Sequence, residues 1–343
     1  MNNYIYTLCN FPNVIIDKLH VCTWDLEGQK ASVELGLSIP NSDNLPEHFV
    51  IYLFAPFLNN HCVVNSLHRE LNDAENFKFI FNEKHLGSDN IGDDGRFGHI
   101  IRYNTNGNER RMAIIKPECE LGAGYLELSL NKPVGEYANL YCRVHVRTIK
   151  DTLAQRARGI SKDTYKYDVK INEERNIPSG VTDLKNQNDL SVAKVETAYC
   201  LHCVPNDYEL SYSDARKLVS IRILELDAFR QYIGSLNNIE GEHIIAFQKD
   251  SLSGSGSFFT TFSRERIGNK QLTMAIGTNL LCNLLFAIYS LRNQQEQGSQ
   301  PQFDVPFELL FASVLIIACL VYCLSLWTWF VRMCKKVKAW IWK

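Results

Sequence analysis

The chain has 343 residues, of which 45% are hydrophobic and 22% are charged, and its formal net charge is −2. This composition excludes wholesale disorder and a collagen-like repeat, and the length allows roughly two or three domains. Residues 1–270 carry a net charge of −5, which argues against non-specific nucleic-acid binding by this whole region, whereas residues 332–343 hold five basic residues and no acidic one.

Residues 1–148 show the pattern of a β-rich cytoplasmic domain. Apolar residues alternate at 33–39, which predicts a half-buried strand, and the continuous apolar run at 49–57 predicts a buried one. Further strands are predicted at 77–81, 100–103, 112–115, 125–130 and 140–146. The dipeptide Asn106-Gly107 predicts a hairpin turn. Short strands at this spacing are typical of a sandwich or barrel, so we expect a mainly β body, β-sandwich-like and with some α-helix.

Residues 149–250 predict a second cytoplasmic region, α+β or β-rich. Strands are expected at 165–172, 192–204, 217–226 and 243–248. Residues 227–236 have the pattern of a short helix that begins at Asp227, although one long helix over 213–236 is an alternative. Residues 251–270 are expected to be a linker and juxtamembrane segment, because the small and polar sequence at 251–257 is typical of a flexible connection.

Two segments near the C-terminus predict transmembrane α-helices, at 271–291 and 308–331. Neither 271–291 nor 309–331 contains a charged residue, and each segment provides the roughly 20 residues that a helix needs to cross a bilayer. Residues 292–307 are polar and predict an extracytoplasmic loop. Burial of both helices in a protein core is the alternative.

Basic residues at the ends of these segments predict the orientation of the chain. Three of them precede the first segment between 264 and 270, five follow the second within the tail 332–343, and the loop holds Arg292 alone. Both termini are therefore expected in the cytoplasm, in a multi-pass protein of the inner (plasma) membrane. Aromatic and basic residues near the C-terminus are typical of an anchor in the lipid bilayer. They are Trp327, Trp329, Lys335, Lys336, Lys338, Trp340 and Trp342.

The first predicted membrane helix carries a stripe of small and polar residues. Five residues near helical spacing form this stripe: Ala275, Asn279, Asn283, Ala287 and Ser290. Asparagine is costly against lipid, so these side chains are expected to face another helix or water. The stripe fits hydrogen bonds between packed helices, and it also fits the lining of a pore. A pore would require a homo-oligomer, a tetramer or larger, because two helices cannot enclose one.

A local concentration of basic residues interrupts the acidic body. Seven of them lie between 143 and 166: Arg143, Arg147, Lys150, Arg156, Arg158, Lys162 and Lys166. With tyrosines at 141, 165 and 167 close by, they predict a site for a nucleotide or oligonucleotide, bound through phosphate contacts and base stacking. A solvated surface, or an interface with acidic residues, is the alternative.

No motif in the chain names a reaction, so we expect a protein that is not an enzyme and that needs no cofactor and no metal. Cys200 and Cys203 form one Cys-x-x-Cys pair, but a zinc site usually needs a second pair at suitable spacing. His85 and His99 flank three aspartates in a stretch that is better explained as a turn-rich surface loop.

The order of these parts resembles the membrane effectors of bacterial anti-phage defence, which pair a sensor domain with a small channel-forming module. The chain looks most like the membrane effector of the Hailong system. This resemblance covers the whole chain, rests on architecture and length, and carries over no residue by position. It implies an oligomeric channel and a nucleotidyltransferase partner, whose single-stranded oligodeoxyadenylate product binds the effector.

The residue patterns, together with what this resemblance implies, predict an oligomeric membrane effector, a ligand- or partner-gated ion channel of anti-phage defence. Its cytoplasmic body would sense a nucleotide or oligonucleotide signal, and its first membrane helix would line the pore. A membrane-anchored binding scaffold is the alternative. A membrane-tethered enzyme that uses His85, His99 or the cysteine pair is a further alternative.

Overall fold

The computed structural model describes residues 3–12, 14–26, 29–159, 162–224, 231–232, 241–265 and 269–295. The chain divides into two compact units, Met1–Arg266 and Ile267–Lys343. We call the first unit the body. Its described part is mainly β, as the sequence predicts.

The described part of the body contains nineteen strands and two α-helices. In chain order the strands are β1 (Asn3–Cys9), β2 (Ile15–Trp24), β3 (Ser32–Pro40), β4 (His48–Phe54), β5 (Val63–Ser66), β6 (Lys84–Ile91), β7 (Gly98–Thr105), β8 (Asn108–Ile115), β9 (Glu118–Leu121), β10 (Tyr125–Asn131), β11 (Asn139–Arg147), β12 (Gln155–Arg158), β13 (Lys162–Ile171), β14 (Ser191–Val192), β15 (Lys194–Pro205), β16 (Glu209–Ser213), β17 (Leu218–Leu224), β18 (His243–Ser251) and β19 (Gly256–Glu265). The helices are α1 (Ala74–Phe81) and α2 (Ser179–Gln187).

These strands form two sheets. The first has the order β16-β19-β13-β1-β4-β10-β9, with β12 beside β13 and β14 beside β1. The second has the order β17-β18-β15-β2-β3-β11-β8-β7-β6, with β5 beside β11. Each sheet takes strands from both sides of residue 148. The regions expected at 1–148 and 149–250 are therefore interleaved in one compact unit and are not separate domains.

A hydrophobic core is shared by the two sheets. Leu126 and Leu128 of the first sheet and Val33 and Leu35 of the second belong to it, each pair at the two-residue spacing that places side chains on one face of a strand. The second sheet is buried on its other face as well, which we call its outer face. There Phe77 of α1 belongs to a separate apolar cluster that covers the sheet. This double burial positions the candidate site described below.

Most of the predicted strands are confirmed. The patterns at 33–39, 100–103, 112–115, 125–130 and 140–146 lie within β3, β7, β8, β10 and β11, those at 49–57, 165–172 and 192–204 overlap β4, β13 and β15, and 243–248 lies within β18. Residues 218–224 form β17, which excludes a single helix over 213–236. Asn106 and Gly107 form the turn between β7 and β8, with φ angles of 52° and 87°. Of the helix predicted at 227–236, the described residues are Gln231 and Tyr232, and both are helical.

The strand predicted at 77–81 is wrong, because these residues end helix α1. Asp73 begins the helix as its N-cap, and its carboxylate accepts a hydrogen bond from the backbone N–H of Glu75 at 3.0 Å. Phe77 and Phe81 then lie one turn apart, with their ring centroids separated by 4.6 Å. Alternation in this run fits a strand, but Phe77, Ile80 and Phe81 also lie at the three- and four-residue spacing of one helix face, and the cap decides between the two.

The flexible linker predicted at 251–257 is replaced by structure that belongs to the body. Ser251 ends β18 in the second sheet, and Gly256 begins β19 in the first, where β19 pairs with β13 along its whole length. Between them, Leu252 is buried. The segment expected to be juxtamembrane is therefore, up to Glu265, a strand inside a sheet. Burial alternates over part of β19, where Phe258 and Thr260 are buried and Phe259 is exposed, as expected of a strand with one face on the core.

The described part of the second unit is one helix, α3 (Asn269–Gln295), which contains the whole segment predicted at 271–291. In the described ranges, no helix has both the length and the apolar character needed for a membrane crossing. The predicted loop at 292–307 from residue 296 onward, the predicted helix at 308–331 and the tail 332–343 lie outside the described residues. So do all seven predicted anchor residues, namely Trp327, Trp329, Lys335, Lys336, Lys338, Trp340 and Trp342.

Candidate functional site

The structure disperses the seven basic residues that the sequence groups together. Arg143 and Arg147 lie on β11 in the second sheet, Arg156 and Arg158 on β12 and Lys162 and Lys166 on β13 in the first, and Lys150 lies between β11 and β12. All are at least partly exposed except Arg143, which is 2% exposed. The predicted basic cluster is therefore not one surface, because two sheets and the alternation of side chains separate residues that are close in sequence.

Arg143 forms a buried ion pair with Glu34 of the neighbouring strand β3. Its Nη2 atom lies 2.6 Å and its Nε atom 2.8 Å from Oε2 of Glu34. Tyr232 donates its hydroxyl to the same carboxylate oxygen at 2.7 Å, and Nδ1 of His145 lies 3.4 Å from the other oxygen. Charge-assisted hydrogen bonds are the strong ones, so this network fixes the guanidinium group of Arg143 in place.

The electrostatics of this network set its protonation. Burial by itself raises the pKa of Glu34, but the charge of Arg143 and the bond from His145 lower it to about 2. Burial, reinforced by the charges of Arg143 and Lys18, lowers the pKa of His20 to about 3. At neutral pH the Glu34–Arg143 pair is therefore ionised and His20 is neutral.

A cavity of about 240 Å³ opens beside Arg143 on the outer face of the second sheet. We call it the aromatic cavity, because five aromatic rings line it: Trp24, Phe79, Phe81, Tyr199 and Phe247. Tyr199 and Phe247 stack with their ring centroids 5.8 Å apart and an interplanar angle of 13°. Phe79 and Phe81 come from α1, so this helix, where the sequence predicted a strand, forms part of the cavity lining.

Three described cationic side chains line the aromatic cavity: Lys18, Arg143 and Arg222. Arg143 is held by Glu34 at the buried side. Lys18 lies 4.0 Å from Asp17, and Arg222 is exposed and makes no ion pair with a residue that the structure describes. None of the described residues that line the cavity is an aspartate or glutamate. Aromatic rings and cations in one cavity suit an aromatic anion, because its planar part can stack and its charged part can pair.

Gly36 on β3 allows the rings to pack closely against the sheet here. A Cβ atom at this position would overlap the hydroxyl group of Tyr141 and would lie 3.3 Å from Cβ of His20. Because the glycine leaves this space, the Tyr141 hydroxyl accepts a hydrogen bond from Nη1 of Arg143 at 3.2 Å and bonds Nδ1 of His20 at 3.0 Å. The glycine thus permits the contacts that join Arg143 to His20 in the cavity lining.

A second pocket brings Arg156 together with Arg264, which is remote in the sequence. We call this pocket, of about 500 Å³, the tyrosine–arginine pocket, because Tyr165 and Tyr208 also line it. The guanidinium groups lie over the two rings, Arg156 at 5.4 Å from the centroid of Tyr165 and Arg264 at 4.8 Å from that of Tyr208. Each arginine already pairs with a carboxylate, at 2.7 and 2.6 Å respectively. This pocket therefore offers an anion less unneutralised charge than the aromatic cavity does.

Asp25 lies at the buried side of the tyrosine–arginine pocket and is 4% exposed. Tyr167 and Thr152 donate hydroxyl hydrogen bonds to its Oδ2 atom. Burial raises the pKa of Asp25 to about 6, against the opposing effect of these hydrogen bonds. Asp25 thus has a raised pKa because of its position in the fold, a property that its sequence neighbours do not reveal.

Neither the cysteine pair nor the two histidines form a metal centre in the described part of the chain. Cys200 belongs to the shared core and Cys203 to the cluster on the outer face, so they point to opposite sides of β15, and burial raises the pKa of both thiols. His85 lies on β6 and His99 on β7, so the stretch predicted as a surface loop is largely a pair of strands. Among the described residues, no group of three or more His, Cys, Asp and Glu side chains is placed to hold a metal ion.

Helix α3 carries the stripe that the sequence predicts for a pore lining. All five of its residues are exposed: Ala275, Asn279, Asn283, Ala287 and Ser290. Nδ2 of Asn283 donates to Oδ1 of Asn279 at 3.3 Å, so these two amides lie on one side of the helix. Large apolar side chains are exposed on α3 as well, namely Met274, Ile276, Leu280, Leu284, Phe286 and Tyr289. Exposed apolar surface of this kind is typical of a helix that another chain or a lipid surface covers.

Sequence reasoning missed Lys18, Glu34 and Arg222. Glu34 gave no signal, because the alternation at 33–39 places it on the polar face of a half-buried strand. Lys18 and Arg222 gave none either. They meet at one cavity because β17, β18, β15 and β2 are successive neighbours in the second sheet, which is a property of the topology.

Comparison with known proteins identifies no family for this chain. No protein-family model matches the chain, and no curated protein matches it either.

Proposed function

We propose that this protein is an oligomeric membrane effector of anti-phage defence, a ligand-gated ion channel whose body senses a nucleotide or a single-stranded oligonucleotide at the cytoplasmic face of the plasma membrane. The observation that carries the proposal is the aromatic cavity, where aromatic rings and cationic side chains meet without a described acidic residue in the lining. The resemblance to channel-forming defence effectors supports a nucleotidyltransferase as the source of the ligand.

The chemistry of the aromatic cavity accounts for nucleotide recognition. A base stacks against the Tyr199 and Phe247 rings, as bases do on aromatic platforms in single-strand-binding proteins. The phosphate pairs with Lys18 and Arg222, which are exposed to solvent. The volume of about 240 Å³ suits one base with its sugar, so further nucleotides of an oligonucleotide lie outside the cavity.

The second unit supplies the membrane part of the proposal. Its support is the exposed apolar surface of α3, the uncharged sequence at 309–331 and the basic, aromatic tail. Packing of α3 against copies of itself would cover this surface and would bring the Asn279 and Asn283 amides of several subunits together. A hydrated path lined by amides is weakly selective among ions.

The test of the sensing site is nucleotide binding to the full chain in detergent, measured by calorimetry with a single-stranded oligodeoxyadenylate and with adenosine 5′-monophosphate. Lys18→Ala combined with Arg222→Ala should weaken oligonucleotide binding by about tenfold or more. The matched control is Lys162→Ala combined with Lys166→Ala, which removes the same charge from two exposed side chains of β13 and should leave the affinity unchanged. Loss of binding in the control alone would place the site on β13, and no binding by the wild type would contradict the sensing proposal.

A membrane-anchored binding scaffold is the second candidate, and the edge strand β17 favours it. Val219, Ile221 and Ile223 are all exposed on this strand, and an exposed apolar edge strand can pair with another chain. A scaffold would keep its activity when the body is attached to an unrelated membrane anchor, whereas a channel would lose it.

A further inference from the structure

A second cavity on the outer face of the second sheet lies at the other side of the Glu34–Arg143 pair. It has a volume of about 560 Å³, and we call it the histidine cavity, because His68 and His145 line it. Both imidazoles are buried, with exposed fractions of 5% and 4%. Glu34 lines this cavity and Arg143 lines the aromatic cavity, so the ion pair places one partner at each.

Each imidazole has one nitrogen that is engaged and one that is available. Nδ1 of His145 lies 3.4 Å from Oε1 of Glu34, and Nδ1 of His68 lies 3.1 Å from Oγ of Ser66. The Nε2 atoms of both histidines are buried and have no hydrogen-bond partner among the described residues. Buried polar atoms are satisfied in the great majority of cases, so two such atoms in one cavity lining point to a ligand.

The charges around this cavity select an anion. Arg69 and Lys116 line it, both are exposed, and neither makes an ion pair with a residue that the structure describes. Burial and neighbouring positive charges, including those of Lys116 and Arg69, lower the pKa of His68 to about 4. The described acidic residues of the lining are Glu70 and Glu34, and Glu34 is already neutralised by Arg143.

We propose that the histidine cavity binds a phosphate-bearing anion at a site distinct from the aromatic cavity. Arg69 and Lys116 pair with the phosphate charge at the exposed side. When the Ser66 hydroxyl donates to Nδ1 of His68, the Nε2–H group of His68 donates to a phosphate oxygen. Because a carboxylate oxygen only accepts, Nδ1 of His145 donates to Glu34, and its Nε2 atom meets a hydroxyl group of the ligand.

A metal ion is the other ligand that two imidazoles suggest, and the surroundings disfavour it. Among the described residues, no three metal-binding side chains converge here or elsewhere. Two unneutralised cations in the same lining would repel a metal ion and attract a phosphate. The phosphate can belong to free inorganic phosphate or to a phosphorylated metabolite, and the binding experiment separates these sources.

Binding of inorganic phosphate and, separately, of adenosine 5′-monophosphate to the full chain in detergent tests the proposal by calorimetry. Arg69→Ala combined with Lys116→Ala should weaken the binding of phosphate by about tenfold or more. The matched control, Lys84→Ala combined with Arg96→Ala, removes two exposed cations outside the lining and should bind as the wild type does. All four side chains are exposed, so the fold should persist, and circular dichroism checks it.

The Lys18→Ala and Arg222→Ala pair separates this site from the aromatic cavity. In that background, phosphate should bind with unchanged affinity even though oligonucleotide binding is weakened. If inorganic phosphate binds more tightly than the monophosphate there, the free anion is the ligand, and the reverse order identifies a phosphorylated metabolite. No saturable binding of either probe, or equal binding by the Arg69 and Lys116 variant, would overturn the proposal.

Discussion

Arg143 of β11 and Glu34 of β3 form an ion pair that is almost completely withdrawn from solvent, with Nη2 and Oε2 2.6 Å apart and the side chains 2% and 1% exposed. Removing two charges from water costs much of what their attraction gains, so such a pair is weak evidence for added stability. The pair also connects the two cavities, because Arg143 lines the aromatic cavity and Glu34 lines the histidine cavity.

Loss of one partner of this pair is predicted to destabilise the body. Arg143→Met leaves the Glu34 carboxylate buried without its main partner, so the free energy of unfolding should fall by about 3–5 kcal/mol. Chemical denaturation followed by circular dichroism measures this. Lys30→Met breaks the exposed pair between Lys30 and Asp151, at 2.6 Å, and serves as the control with a much smaller expected loss. Similar losses of unfolding free energy in the two variants would show that the buried ion pair contributes no more to stability than the exposed one.

The raised pKa of Asp25 predicts a pH-dependent stability. The ordinary pKa of this carboxyl group is 3.8, and in the fold it is about 6. The fold favours the neutral form, so the stabilisation is complete below pH 3.8 and is lost as the pH rises through 6. Asp25→Asn keeps an acceptor for the Tyr167 hydroxyl and should remove this step from a plot of melting temperature against pH. Asp151→Asn changes an exposed carboxylate and should retain the step. If the step in melting temperature also persisted in Asp25→Asn, its assignment to Asp25 would be wrong.

The thiols of Cys200 and Cys203 are predicted to be unreactive in the folded protein. Both are buried, and burial raises the pKa of each, so the reactive thiolate is scarce. Incubation with a thiol reagent at neutral pH, followed by mass spectrometry of peptides, should find these two residues unmodified. The same experiment in denaturant should modify both. Rapid labelling of either residue in the native state would instead support a redox role for the pair.

The strands of the body could be predicted where burial on one face leaves period-two alternation, as in 33–39 and 140–146. The surroundings of Arg143 could not. Its strand alternates, so the sequence places Arg143 on a solvent-facing side, whereas in the fold that side is covered by α1 and Tyr232. The residues that cover Arg143 lie far from it along the chain, and the sequence pattern at 77–81 predicts a strand where α1 forms.

The residues of the candidate site could not be grouped from the sequence either. The sequence grouped Arg143 with six basic residues nearby in the chain. In the fold it pairs with Glu34 of β3, and it shares the aromatic cavity with Lys18 of β2 and Arg222 of β17. Sequence spacing predicts neighbours on a helix such as α3, where the Asn279–Asn283 contact follows from the four-residue spacing. Across a sheet, the strand order decides which side chains meet.

The central claim is that ligand binding in the body controls ion passage through the C-terminal part. Liposomes that contain the full chain, loaded with a fluorescent ion indicator, measure this most directly. We predict an ion flux that single-stranded oligodeoxyadenylate changes. Lys18→Ala with Arg222→Ala should shift the response to ligand concentrations about tenfold higher or more. Asn279→Leu with Asn283→Leu should alter the flux itself. No flux in the presence or absence of the ligand, or the same conductance in the asparagine variant, would contradict the account.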